Sequence, residues 1–439
     1  MTNETADVRE VPGSYGLPVV GLLGQTLEFR RHWKRYFDRR RERYRSNVFK
    51  TRIGVKAIAI LEQQAARPLF DATLVRKRFG FGPAVPVRRR LGDVVPTVFT
   101  NDEEHARQKT FLLDLMRRNL SSMVSTFDRV AEPYFERWER ARGFDWRPEC
   151  DGVVSDFMFE WLLGGGPEAG DLTYWTSHLL PELGVEIPFY RNRKVLRTYE
   201  RILARVKAAP RFREVAAAAA ETTGWDRETA ARQLLFSLGF NASAGTRGAL
   251  HSVIAELTLN PETRERAAAE IRQVVADGSL DLKMLDELPE LENAIRETLR
   301  LHQPVSLFYA EAREDLVLQA RAASYPVRRG ELLCGVMPYI HRDPEVFTDP
   351  DRFRPERFAD GSPASCVLWS HGPDTGAPQP DNKMCAGKDV AELVLKMFCV
   401  KLLPSYRWTL AEAPRWSDDV LDPANRPETP FTVSSFERI

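Results

Sequence analysis

The sequence predicts a mainly α-helical fold with minor β, built as one large unit over residues 1–439. Three observations carry that prediction. Apolar and aromatic residues recur at helical spacing through the first two-thirds of the chain. Short strand-like runs gather late. No linker, repeat or low-complexity tract divides the 439 residues, and 43% hydrophobic content is enough for a large core.

The elements follow in chain order. Residues 27–44 place Phe29, Trp33, Tyr36 and Phe37 at helical spacing with charges between them. Val48–Ile53 and residues 56–61 read as a short hairpin with Gly54 between them. Asp102–Asn119 opens with acids, as a first helical turn favours. Asp226 is placed to cap a long central helix running to Leu259 and stopped by Asn260-Pro261. Residues 262–276 and 288–301 read as further helices, Leu316–Gln319 and residues 331–336 as strands. The proline-rich residues 338–358 read as an irregular meander, and residues 389–403 as a late helix.

Charge and cysteine usage exclude several classes. Lys+Arg number 63 and Asp+Glu 62, a net charge of +1, which gives no basis for nucleic-acid binding. Basic runs such as Arg39-Arg40-Arg41 and Arg88-Arg89-Arg90 read as solvated faces. The five cysteines lack close pairing, and the polar start Met1-Thr-Asn-Glu is no signal peptide, which together predict a reducing cytoplasm. No run of 18 apolar residues predicts a membrane span.

The chemistry concentrates near the end of the chain. Cys385 is followed by Ala386 and Gly387 and then by a helix. A thiolate there gains from backbone N–H groups and from the helix dipole, and the small neighbours allow a flat macrocycle to approach. Lys383 can meet a carboxylate. Taken alone, Cys-Ala-Gly fits a buried free cysteine better.

Further motifs complete a resemblance. Glu297-Thr-Leu-Arg300 puts an acid and a base one helical turn apart. Phe353-Arg-Pro-Glu-Arg357-Phe358 follows, then Trp369 and the run Asn382-Lys-Met-Cys385-Ala-Gly-Lys-Asp389. With the long central helix, this set resembles the cytochromes P-450, the heme-thiolate enzymes, over nearly the whole chain. The resemblance implies a triangular helical prism crossed by that central helix. It implies heme b with Cys385 as the axial ligand, the macrocycle approaching over Gly387, and Lys109, Lys383 and His105 near its propionates. It also implies a buried network of Glu297, Arg300 and Arg357.

Within that family the chain looks like the hydroperoxide-metabolising branch: allene oxide synthases, hydroperoxide lyases and divinyl ether synthases. The carriers are Val11-Pro-Gly-Ser-Tyr-Gly-Leu-Pro18, Glu104-His105-Ala-Arg-Gln-Lys109, Gly239-Phe-Asn241-Ala242 and the cysteine run. The ordinary loop has an aromatic seven residues before the cysteine. Trp369 lies sixteen before it, so nine residues are inserted (16 − 7 = 9), a mark of this branch that alters the face where an electron donor docks.

An oxygen-activating member carries an acid followed by threonine on the central helix. This chain reads Phe240-Asn241-Ala242-Ser243-Ala244-Gly245-Thr246 instead. A carboxamide does not shuttle protons at neutral pH, but it can hydrogen-bond a departing oxygen. The resemblance gives that catalytic role to Asn241. An asparagine bonded to its own helix is the plainer alternative. Ala242, Gly245, Ser306, Phe308 and Phe81 are expected to line the substrate side.

The implied enzyme is a lyase or isomerase rather than a monooxygenase. It cleaves and rearranges a hydrophobic, pre-oxidised small molecule without dioxygen, NADPH or a redox partner. The branch implies a fatty-acid hydroperoxide. Its members usually show Pro-Val-Pro and then glutamine, where this chain has Pro304-Val305-Ser306-Leu307-Phe308. That departure keeps open another peroxide, or an N–O-activated amine that closes a ring in natural-product biosynthesis. A reductase-dependent monooxygenase is a third alternative, and a non-enzymatic heme sensor a fourth. Twelve lysines against 51 arginines suggest a GC-rich bacterial host.

Overall fold

The computed structural model describes residues 7–17, 20–78, 94–141, 143–184, 193–276, 280–359, 376–422 and 425–439. Helices α1 (Val20–Arg31) and α2 (Trp33–Tyr44) open the chain. The single helix expected over residues 27–44 is therefore two. The break falls at His32, with φ −150° and ψ 68°. It is imposed from a distance: the Trp33 N–H donates to the Asp419 carbonyl at 3.0 Å, and the Trp33 indole donates to the Ser417 carbonyl at 3.1 Å.

Strands β1 (Val48–Ile53) and β2 (Val55–Ile60) form the hairpin, and Gly54 turns it with φ +72°. β3 (Val75–Lys77) follows, then β4 (Phe144–Asp145), β5 (Leu307–Ala312), β6 (Leu316–Gln319), β7 (Ser324–Val327), β8 (Leu332–Val336), β9 (Tyr406–Leu410) and β10 (Thr432–Arg438). The main sheet runs β1-β2-β8-β5-β3. β2 and β8 pair in parallel with Ile58 opposite Leu333, and β5 is antiparallel to both β8 and β3.

Side chains alternate across this sheet as the pleat demands. Ile58, Ile60, Phe308, Ala310 and Leu333 pack on one face. Ala57, Ala59, Tyr309, Cys334 and Val336 pack on the other, beneath Trp33, Tyr36 and Phe37 of α2. Covered on both faces, the inner strands β2 and β8 read as near-continuous apolar runs, as buried strands should.

The helical layer begins with α3 (Asp102–Asn119), α4 (Met123–Arg140), α5 (Trp146–Leu163), α6 (Ala169–Gly184), α7 (Arg193–Ala208) and α8 (Phe212–Thr223). α9 is the central helix, residues 227–259. It is α-helical over Arg227–Leu234, π-helical over Leu235–Ala242, and α-helical again over Ser243–Leu259. The Asp226 carboxylate caps it by accepting from the Thr229 N–H at 2.7 Å. Pro261 then opens α10 (Pro261–Val274), followed by α11 (Pro289–His302) and α12 (Lys388–Leu402).

α9 packs against α5, α11 and α12, and its π stretch touches α5 and α6. Being enclosed by helices, α9 is buried nearly all round rather than on one stripe. The meander expected over residues 338–358 holds two single turns, Met337–Ile340 and Pro355–Phe358. Among the described residues no helix is long and apolar enough to cross a membrane.

Candidate active site

Four cysteines fall among the described residues, and Cys385 alone of them is exposed. Burial pushes the Cys334 and Cys399 thiols up to about 12, and it raises Cys150 well above the usual thiol value. Burial also raises Cys385, and the Gly387 N–H and the Lys109 and Lys77 ammonium groups offset part of that rise. A sulfur that is accessible yet surrounded by protein lines an internal cleft. The α12 helix starting at Lys388 packs on α9, so this cleft adjoins the central helix.

Two glycines bear on what the cleft accepts. A Cβ added at Gly387, beside the cysteine, or at Gly245, on α9, would meet no atom within 4 Å. Open space next to a residue of an otherwise buried helix is a cradle for something flat. Ala242, the half-buried neighbour of Asn241, lies on the same stretch of α9.

Around the cysteine lies a cluster of buried cations. The Lys109 ammonium donates to the Asn382 carbonyl at 2.9 Å and to its Oδ1 at 2.7 Å. Lys383 donates to the Val75 carbonyl at 2.5 Å. Lys77 lies 3.4 Å from His105 Nδ1, and the His105 ring sits 3.1 Å from the Thr97 carbonyl and 3.2 Å from that of Asn382.

Burial, then the neighbouring Lys383 and Lys109, pulls Lys77 down to about 7. Burial likewise lowers Lys109 to about 8 and, with Arg313, Lys383 to about 8. Burial and Lys77 hold His105 at about 4. Such lysines lack enough negative charge around them. The two propionates of a heme are the kind of anions that would supply it, so these residues fit the group. Lys77 was not singled out in the sequence. Only the pairing of β3 with β5 reveals that this strand lysine is buried beside the cysteine loop.

Asn241 sits in the π stretch of α9. Its Oδ1 is buried and has no hydrogen-bond partner. The Ser306 hydroxyl, just before β5, is also buried and unpartnered. Phe308 does not line the cleft as expected. It is wholly buried and stacks on Phe70 with centroids 5.6 Å apart, packed with Ala310 and Leu333 in the sheet core. Phe81 and Trp369 lie outside the described residues.

Glu297, Arg300 and Arg357 converge. Arg300 makes a fork to Glu297 at 2.7 and 2.8 Å, and Arg357 Nε donates to Glu297 Oε1 at 3.0 Å. Arg300 also donates to the carbonyls of His341 (2.8 Å) and Pro350 (2.7 Å). The network thereby ties α11 to the segment before the cysteine loop.

Residues 227–420 match the cytochrome P450 family. The chain is 30% identical to the linolenate hydroperoxide lyase, chloroplastic, of Arabidopsis thaliana, covering 91% of this chain and 90% of that one. It is 30% identical to allene oxide synthase 1, chloroplastic, of Oryza sativa subsp. japonica, covering 91% and 86%. Its fold is similar to that of the retinoic acid-bound cyanobacterial CYP120A1, with a TM-score of 0.79 over 98% of this chain and 99% of that one, at 23% identity. The chain therefore belongs to the cytochrome P450 family, as a heme enzyme with Cys385 as the axial thiolate, and its relatives place it with the lyases and synthases of that family rather than with the monooxygenases.

Proposed function

We propose that this enzyme cleaves and rearranges a fatty-acid hydroperoxide without dioxygen, NADPH or a reductase. The observation that carries the reading is Asn241: a half-buried residue whose buried Oδ1 has no partner, on the π stretch of the central helix, where no acid–threonine pair stands. π segments within α-helices are frequent at functional sites. The relatives' names, a linolenate hydroperoxide lyase and an allene oxide synthase, support the substrate class.

Heme held by Cys385 supplies, when bound, the one-electron chemistry that breaks a weak O–O bond. The chain does the rest. Lys77, Lys109 and Lys383, with His105 behind them, would hold the propionates. Gly387 and Gly245 leave room on either side. The Asn241 carboxamide accepts the hydroperoxide O–H and can donate to the departing oxygen, but it carries no titratable proton for splitting dioxygen. Such a preorganised contact acts where charge shifts during bond cleavage.

The Ser306 hydroxyl favours a second reading. A buried, unpartnered hydroxyl costs stability unless something bonds it. A substrate with a polar group at that point, such as another peroxide or an N–O-activated amine from a bacterial biosynthetic pathway, would satisfy it.

The test is strictly anaerobic turnover of a polyunsaturated fatty-acid hydroperoxide by heme-loaded enzyme, with no NADPH. Conversion is expected, and Asn241→Ala should lose about 10²–10³-fold in turnover with heme content unchanged, by analogy with loss of one oxyanion donor. Hydroxylation that requires NADPH, a reductase and air would overturn the reading. Conversion of an alkene-bearing N-acyloxy arylamine alone would replace the substrate and keep the chemistry.

A further inference from the structure

A π stretch interrupts the regular ladder of an α-helix, so it persists where neighbours hold it in place. In α9 several of the holding contacts come from α6. Gly239, two residues before Asn241, faces Leu172 of α6. A Cβ there would stand 2.9 Å from Leu172 Cδ2, and Leu172 is itself fully buried. On the far side of Asn241, the Ser243 hydroxyl donates to the Leu238 carbonyl at 2.6 Å, taking up a carbonyl inside the π stretch.

Arg247 then ties this turn down. Its Nε donates to the Ser243 carbonyl at 3.1 Å. Its Nη1 and Nη2 donate to the hydroxyls of Thr173 (3.1 Å) and Thr176 (3.3 Å) on α6. Asp151 of α5 sits 3.5 Å from Nη1, which keeps a buried guanidinium from standing without an anion. Leu172, Thr173 and Thr176 lie on one stretch of α6, so that helix grips α9 both before and after Asn241.

We infer that Arg247 is a positioning residue: anchored by Thr173, Thr176 and Asp151, it fixes the π register that aims the Asn241 carboxamide, and so couples the placement of α6 to the reaction. This rests on the role given to Asn241 above. Arg247 acts through Ser243 rather than on the reacting atoms. A planar fork with four separate partners suits this task, and lysine offers no equivalent geometry.

Two measurements test it on heme-loaded protein. The first is amide hydrogen exchange. In Arg247→Met, exchange across residues 235–243 should quicken about tenfold or more, while amides of α10 stay as in the parent. The paired change Thr173→Val with Thr176→Val leaves the Arg247–Asp151 pair in place, and it should have the same local effect. It also serves if Arg247→Met does not fold. Unchanged exchange at residues 235–243, or quickened exchange throughout, overturns the proposal.

The second is a double-mutant cycle on turnover. Loosening the register should lower kcat about tenfold with KM within about twofold, the pattern of a contact made mainly in the transition state. In an Asn241→Ala background the same change should have under about twofold effect. An equal drop in both backgrounds, or none in either, overturns the positioning role. If the parent converts no hydroperoxide, the functional reading fails by itself, and the exchange comparison still decides whether α6 holds the π stretch.

Discussion

Replacing Glu297 with alanine should be among the most damaging single changes in this chain. The carboxylate is wholly buried, as is Arg300. Its Oε1 accepts three donors: Arg300 Nη2 at 2.8 Å, the Arg354 N–H at 2.8 Å and Arg357 Nε at 3.0 Å. Its Oε2 accepts Arg300 Nε at 2.7 Å. One negative charge thus lies between two guanidinium groups, with backbone carbonyls of residues 341–352 completing their shells. Removing the carboxylate leaves two cations facing each other out of water.

Breaking a buried pair by deleting one partner typically costs about 3–5 kcal/mol. A native state holds only about 5–15 kcal/mol in total. The loss also frees the segment that leads toward Cys385, so heme retention should fall together with stability. The assay is the heme-to-protein absorbance ratio of purified Glu297→Ala, alongside a urea unfolding curve. Glu297→Gln keeps the shape and should be intermediate. A soluble Glu297→Ala protein with full heme loading and an unshifted urea midpoint would refute the argument.

Three further expectations follow from the same geometry. Cys385→Ala should abolish the red-shifted Soret band of the reduced carbon monoxide complex, since the other described cysteines are buried; a retained band would move the ligand elsewhere. Lys77→Met should load heme more weakly than the parent, by heme transfer to apomyoglobin, if its ammonium meets a propionate; an unchanged transfer rate would remove it from the cradle. Burial holds His251 at about 4 and His341 at about 3, both below the usual value for histidine. As pH falls below about 6.5, the unfolded chain takes up protons that these folded side chains refuse, so stability should decline down to about pH 4. A urea midpoint that is flat over that range would refute this.

The local signals in the sequence translated well into structure. The bounds of the central helix were legible because Asp226 caps its start and Asn260-Pro261 ends it, both short-range effects. Cys385 before a helix and Glu297 one turn before Arg300 were legible for the same reason. What escaped needed contacts between distant segments. The break at His32 has no glycine or proline, and it is set by residues 417–419. Lys77 reads as an ordinary charged strand residue until β3 is paired. The π register depends on Ser243 and on α6, neither of which periodicity can see. The burial of Phe308 likewise rests on a distant contact, its stacking on Phe70, which no local pattern shows.

The parallel pairing of β2 with β8 has a consequence for how this chain reaches its native state. Ile58 meets Leu333 across 275 residues (333 − 58 = 275). Closing so long a loop is slow, because its entropy must be lost before the contact returns anything. On a ribosome, the β1–β2 hairpin emerges early and waits through most of synthesis with the hydrogen-bonding edge of β2 uncovered. Alanine and isoleucine crowd that edge, and an unpaired apolar strand is a template for association with other chains. The sheet is therefore where synthesis or refolding at high concentration would go astray, well before any heme is bound.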